Sequence, residues 1–443
     1  MSFCNNFIVS GVRDMKKFKL ILFSVWLSIM FATFFVLPVG FTDTIEFWTF
    51  LDPSSPDPRG QALRDAIEIF ERQYPDIKVN VTTIHWREID QAAIRATAAG
   101  QGPDVLNVYT DQLQNHVVAG TLMPVEEFFK PWYTLNAEDY LWKPSMLEIK
   151  EHIWSTPWES RVWVLWYRED FVESVGAKVP LDLYELAEIA GDIRRNYPNV
   201  IGFAWGLATK SLGAEFIETF IPLLYGAGGE LVDENGNAAF NDEAGIRVME
   251  WLRALFVKYE ATDLSVLSMD ADDVLSGFQA GTIAMSVEGT MRVSTARSAL
   301  GDKLKTAFVP SFESSEPSPG YTAGQTLGIG TNSQHPDIAW KFIEHMLSPE
   351  IQLIFAKGGI LPVRSQVYND SWFDTPEGKE MVKWRDYIIK QGMSFFPPED
   401  YWKLCEILVT AAQRIVTTEV DIRSILDDAA DEYNNYHATF MKE

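Results

Sequence analysis

Polar and apolar positions alternate in three short runs near the start of the chain. Residues 44–50 (TIEFWTF) are β-prone, residues 78–84 alternate as a half-buried strand does, and residues 104–109 are strand-like again. Between them, Ala62, Leu63, Ala66, Ile67 and Phe70 recur at helical spacing until Tyr74-Pro75 stops the helix. A second helix is predicted from about residue 88 to 99, where Gly100-Gln101-Gly102-Pro103 breaks it. Asp111 then stands at the N-cap of a helix ending at Gly120. Strand, helix, strand, helix, strand is the pattern of a parallel sheet in an α/β fold. Right-handed crossovers place the loops after such strands on one edge, where open α/β sheets take their ligands. Residues 48–52 and 109–112 are therefore candidates on geometry alone.

The middle of the chain is more helical. Asn241 reads as an N-cap, with Ile246, Met249, Leu252, Leu255 and Phe256 following on one face. Residues 278–287 end in a strand, 311–319 form a Ser-, Pro- and Glu-rich loop, and 339–343 begin another helix. Residues 401–436 read as amphipathic helix. Upstream of all this, Met15-Lys16-Lys17-Phe18-Lys19 precedes a run, 20–37, that is apolar apart from Ser24, Ser28 and Thr33. A basic start, an apolar core and then Pro38 and Gly40 spell an export signal, with Met15 as its natural beginning. The run approaches the roughly 20 residues that span a bilayer, so cleavage and retention as an anchor both stand. Its positive flank places the body outside the cytoplasm, periplasmic or extracellular. No Cys follows the run to take a lipid.

Charge and composition narrow the partners. The 443 residues suffice for two domains and carry a formal charge of −25. Residues 1–43 contribute Arg13, Lys16, Lys17 and Lys19 against Asp14 and Asp43, so the body is more acidic still. Such a surface repels nucleic acid and anionic lipid. Cys4 and Cys405 are the only cysteines, so the body can hold neither an internal disulfide nor a Cys-based metal site. There is no GxxxxGK phosphate loop and no GxSxG elbow, and the six His residues lack metal-binding or triad spacing. The sequence calls for no cofactor. Carboxylates are plentiful enough that a pair for glycoside hydrolysis is not excluded by counting.

Five segments, in order, resemble the family 1 extracellular solute-binding proteins, relatives of maltose-binding protein. They are Ile45-Glu46-Phe47-Trp48 with residues 70–79, then Ala98-Ala99-Gly100-Gln101-Gly102-Pro103-Asp104-Val105 with residues 119–122. Thr156-Pro157-Trp158 with residues 165–171 follows, then residues 278–285 with Glu288-Gly289. The last is residues 324–329 with 339–343 and 359–364. The resemblance implies a two-lobed type II periplasmic-binding fold, each lobe a mostly parallel sheet flanked by helices. It places 44–158 with 309–347 in one lobe and 159–308 with 348–443 in the other, with crossings near 157–163, 306–311 and 345–350. It implies a monomeric receptor, not an enzyme, that closes on a small solute, a sugar or oligosaccharide, and hands it to an ABC permease. A non-carbohydrate solute (a polyol phosphate, polyamine or peptide), a sensor kinase as partner and a secreted glycoside hydrolase are the other readings. Two departures stand out: Met291 replaces a Trp common after the glycine matching Gly289, and Arg168 replaces a common Asn.

Aromatic rings suit the apolar face of a sugar, and carboxylates, amides and Arg suit its hydroxyls. Trp48 and Trp205, each after a strand, are platforms or core residues. Tyr109 and Asp111 sit at the third strand end, where the resemblance implies a hydroxyl-binding carboxylate and helix capping is the competing role. At the first crossing, Trp158 is expected as platform and Glu159 as acceptor; Glu159 and Arg161 are also placed to pair with each other. Glu288 and Gly289 follow a strand, and Glu288 suits hydroxyls or a cationic group. Gly324 and Gln325 form a loop allowing backbone approach. Trp402 matches a stacking aromatic of the family.

Overall fold

The computed structural model describes residues 43–143, 147–313, 316–394, 398 and 400–440; the apolar run 20–37 lies outside them. Among the described residues no helix is long and apolar enough to cross a membrane. The chain separates into two units. In the small one, Met1–Thr44 with Tyr74–Lys78, the Asp43 N–H donates to the Asp76 carbonyl at 3.2 Å and the Ile77 N–H to that of Tyr74 at 2.9 Å. The large one, Ile45–Gln73 with Val79–Glu443, holds every residue of the candidate site.

The strands are β1 (Asp43–Thr49), β2 (Ile77–Thr83), β3 (Val105–Tyr109), β4 (Glu148–Ile149), β5 (His152–Ile153), β6 (Ser155–Arg168), β7 (Ile201–Ala204), β8 (Ile283–Gly289), β9 (Leu304–Ala307), β10 (Gly320–Ile329) and β11 (Gly392–Ser394). The first helices are α1 (Pro58–Gln73), α2 (Ile89–Ala98), α3 (Leu113–Val118), α4 (Glu126–Asn136), α5 (Glu169–Ser174), α6 (Leu183–Asn196), α7 (Ala214–Gly226) and α8 (Glu243–Val257). Then come α9 (Ala271–Ala280), α10 (Val293–Leu300), α11 (Pro336–Met346), α12 (Pro349–Lys357), α13 (Pro376–Gln391), α14 (Tyr401–Thr417) and α15 (Ile422–Phe440).

Helix ends follow side-chain chemistry. The cap of α8 is Asp242, not Asn241: its carboxylate accepts the Gly245 N–H at 2.8 Å, while the Asn241 amide bonds Asp427. Asp111 does not cap either, because α3 begins only at Leu113. Asp270 and Asp273 form a capping box at the start of α9, and Gly281, with φ of 74°, ends it in the left-handed region that favours glycine. The helix expected over 401–436 is two helices. The Arg253 guanidinium binds the carbonyls of Ile415 (2.9 Å) and Val420 (2.7 Å), satisfying groups that the break between α14 and α15 would otherwise orphan.

The sheet runs β2-β1-β3-β10-β6-β8-β7, with β11 beside β10 and β9 beside β6. β1 and β3 are parallel, as the alternating strand–helix pattern requires, and so are β7 and β8. β10 runs antiparallel to both β3 and β6, and β6 antiparallel to β8 and β9. β6 changes partners along its 14 residues: up to Val162 it pairs with β10, and from Trp163 it pairs with β8. Burial on both faces explains the unbroken apolar and aromatic stretch 162–167, while the first half carries the buried polar residues Ser155, Thr156, Glu159, Ser160 and Arg161. One core cluster surrounds the second half of β6; another joins Ile89, Ala93, Leu106, Val108, Leu113 and Leu122.

Candidate functional site

A cavity of about 610 Å³ opens where several strand ends converge. Trp86 and Arg87 reach it from the β2–α2 loop, and Asp90 from the first turn of α2. Tyr109 and Asp111 come from the end of β3, and Arg161 from β6. Glu215 and Glu218 lie three residues apart on α7, so they share one helix face. Met291 and Arg292 follow β8, Trp402 opens α14, and Tyr436 and Phe440 close α15. The size and mixture fit a small-molecule site: aromatic walls with a few converging polar groups.

Strand-end geometry thus places Tyr109 and Asp111 in the wall. The Tyr109 ring stacks on Phe50 at 5.4 Å and lies under the Arg161 guanidinium at 5.4 Å. Burial raises its phenol above the ordinary range. Trp402 and Arg161 also line the cavity. Glu159 and Arg161 do pair with each other, Arg161 Nε donating to Glu159 Oε1 at 2.8 Å, and both are buried. Glu159 is consumed behind the wall, leaving Arg161 as the member that faces the cavity.

The other expected residues lie elsewhere. Trp158 is completely buried, its indole N–H donating to Asn107 at 3.2 Å and its ring packed edge-on against Phe355 at 4.8 Å. The cause is a β-bulge. β10 pairs Gln325 with Glu159 and Thr326 with Pro157, so Trp158 is the extra residue and the strand's alternation is reset there. Trp205 stacks on Phe216 at 5.3 Å and donates to its carbonyl, also in the core. Trp48 packs beside Leu106 and Ile89. Gly324 serves strand packing, since a Cβ there would sit 2.5 Å from the Glu159 carbonyl oxygen. Gln325 is fully buried, and Gly289 leaves room for the Met291 sulfur. None of these six borders the cavity.

Glu288 stands just behind the wall, accepting from Ser286 at 3.2 Å and facing Glu215. Burial pushes its carboxyl up to about 7 against the pull of Arg292. Burial also raises Glu218 to about 8, reinforced by Asp111 and Glu288. Glu215 is driven well above the usual carboxylate range by burial and then by Glu288 and Glu218. Burial, then the charge of Asp90, lifts Asp111 to about 6. By contrast, Arg161 and Arg292 stay charged despite burial, held by Glu159 and by Asp272. Among the described residues no group of His, Cys, Asp or Glu is arranged to hold a metal.

Glu215 and Glu218 were missed in the sequence, although two carboxylates on the otherwise apolar AEFIETFIPLLYG helix were a readable signal. Trp86 and Arg87 obey the same strand-end rule that found Tyr109, applied after β2. Tyr436 and Phe440 carried no signal, being aromatics at helical spacing like many core residues.

The pattern of the bacterial extracellular solute-binding proteins matches residues 53–353. No curated protein matches the chain. Among solved structures, maltose-bound MalE3 of T. maritima is 21% identical with a TM-score of 0.75, covering 88% of this chain and 98% of its own. An ABC transporter solute-binding protein of Thermotoga lettingae, bound with α-D-tagatose, is 21% identical with a TM-score of 0.76 over 89% and 99%. UgpB of Mycobacterium tuberculosis, in complex with glycerophosphocholine, is 18% identical with a TM-score of 0.75 over 90% and 99%. The fold is thus that of two-lobed type II periplasmic-binding proteins.

Proposed function

We propose that this chain, which belongs to the bacterial extracellular solute-binding protein family, binds a sugar or short oligosaccharide in the cavity and delivers it to an ABC-type importer. The observation that carries the reading is the cavity wall. Trp86 and Trp402 offer apolar rings, and Tyr109, Asp111, Glu218 and Arg161 offer hydrogen bonds beside them. This is the division of labour that a hydroxylated ring demands. The neighbours solved with maltose and with tagatose support it. No catalysis is invoked: the solute is held and released.

We assign 44–158 with 309–347 to one lobe and 159–308 with 348–443 to the other, closing around the cavity. Residues 20–37 serve export, leaving the body outside the cytoplasm. An anionic solute such as a polyol phosphate is less well served. Arg161 is committed to Glu159, and Arg292 to Asp272 at 3.0 Å.

The test is calorimetry and thermal shift with mono- and oligosaccharides, a polyol phosphate, a polyamine and a peptide. A sugar that raises the melting temperature progressively with its concentration, logarithmically once it exceeds the Kd, supports the reading. Stabilisation by another class alone, or turnover of a chromogenic glycoside, sinks it. Affinity that falls steeply with salt points instead to an anionic solute.

A further inference from the structure

Resting on that reading, the geometry points to a solute that carries a protonated amine, an amino sugar or an aminated oligosaccharide, seated against Glu215 and Glu218 with Glu288 directly behind them. Glu215 is 4% exposed and borders the cavity, yet no N–H or O–H of the described residues reaches either of its carboxyl oxygens. What faces it is the Glu288 carboxyl. Two carboxyls face to face hold together only through a shared proton, and a third, Glu218, stands one helical turn away. The described residues supply these three with a hydroxyl from Ser286 and an indole N–H from Trp163, at 3.2 and 2.9 Å, and among them with no ion pair.

The neighbouring cations are already used. Arg161 donates to Glu159, Arg292 is paired with Asp272, and Lys403 with Glu406 and Glu432. Buried carboxylates without a counter-ion are costly, and nature ordinarily pairs or neutralises them. A neutral sugar would leave the shared proton in place, since hydroxyls bring no charge to replace it. An ammonium group brings the missing charge and up to three donors. Trp402, which shares a small recess with Glu218 and Asp111, adds an indole face of the kind that attracts ammonium.

The experiment compares glucosamine dimers and trimers bearing free amines, their N-acetylated counterparts, and maltose and maltotriose, on the full chain at pH 7. Acetylation removes the charge and keeps the ring. We expect the free-amine sugars to bind roughly tenfold tighter than the N-acetylated ones, the gain typical of a charge-assisted contact. Binding also releases protons, read as a heat that varies with the ionisation enthalpy of the buffer, because the cation drives the shared proton off. In Glu215→Gln the ratio of free-amine to N-acetyl affinity collapses to about one; Glu288→Gln reads the same ratio if that variant fails to fold. N-acetylated or neutral sugars binding as tightly as the amines overturns this inference and leaves the sugar reading intact. An amine preference unmoved by either variant overturns it too. If no sugar in the panel binds, both fall together.

Discussion

At the scale of single residues, two side chains of the same type as the expected site residues tell different stories. Glu218 is held near 8 in the folded chain against an ordinary 4.5. A carboxyl raised on folding keeps its proton while the unfolded chain loses it, so stability falls as pH rises from about 4.5 to about 8. Glu218→Gln keeps an oxygen for the Trp163 N–H and removes the ionisation. It is expected to stabilise the protein by on the order of 1 kcal/mol at pH 8 and to change little at pH 4, in urea titrations at both pH values. The full shift would suggest more, but the group lines the open cavity. Equal effects at both pH values would show that burial is not what lifts the carboxyl. Trp158 is the second case. It reads as a stacking platform by its place at the first crossing, and the bulge turns it into core. Trp158→Phe is therefore expected to cost about 1–3 kcal/mol of stability, from lost packing and the orphaned Asn107 carbonyl oxygen, with solute affinity within about threefold. Affinity falling by two orders of magnitude with stability unchanged would return Trp158 to the binding site.

At the scale of elements, what was legible depends on whether local pattern or distant pairing decides. Alternation and helical spacing locate β1 to β3, α2 and the end of α1 within a residue or two, while α1 begins at Pro58, four residues before Ala62, because proline is tolerated in a first helical turn. The strand-end rule then delivers Tyr109 and Asp111 without any relative to compare. The rule stops being usable where a strand is buried on both faces. In β6 nearly every residue is buried, so no alternation shows which of Trp158, Trp163 and Trp166 points where. That is settled by the exchange of β10 for β8 along its length, a pairing between segments about 120 to 170 residues away. Gly324 and Gly289 are similar: the sequence shows a permissive residue, and only the packed neighbour, a Glu159 carbonyl or a Met291 sulfur, shows why it is needed. Boundaries suffer from short-range competition instead. Asn241 and Asp242 are both good caps, and a hydrogen bond to Asp427 takes the first out of contention.

At the scale of the whole molecule, closing around a solute requires contacts across the cavity mouth that form and break. The first turn of α9 gathers them. Trp86 Nε1 donates to Asp272 at 3.0 Å, Arg87 donates to it at 2.9 Å and also binds Asp270, and Arg292 pairs with it at 3.0 Å. One carboxylate thereby joins the β2–α2 loop to the segment after β8, whose neighbours reach the cavity from opposite proposed lobes. Arg292 and Asp272 share one proposed lobe, so the contacts that cross are those of Trp86 and Arg87; each is part-exposed and worth about 0.5 kcal/mol, so the two amount to roughly 1 kcal/mol, enough to bias an opening equilibrium about fivefold. Their loss should not unfold either lobe, because none belongs to a core. Asp272→Ala is therefore expected to weaken solute binding by up to about fivefold with a nearly unchanged melting temperature of the free protein. Small-angle scattering of the free variant should give a larger radius of gyration than the wild type, and saturating solute should bring the two together. A variant that binds as tightly as the wild type and scatters identically would show that closure draws its energy from the solute alone.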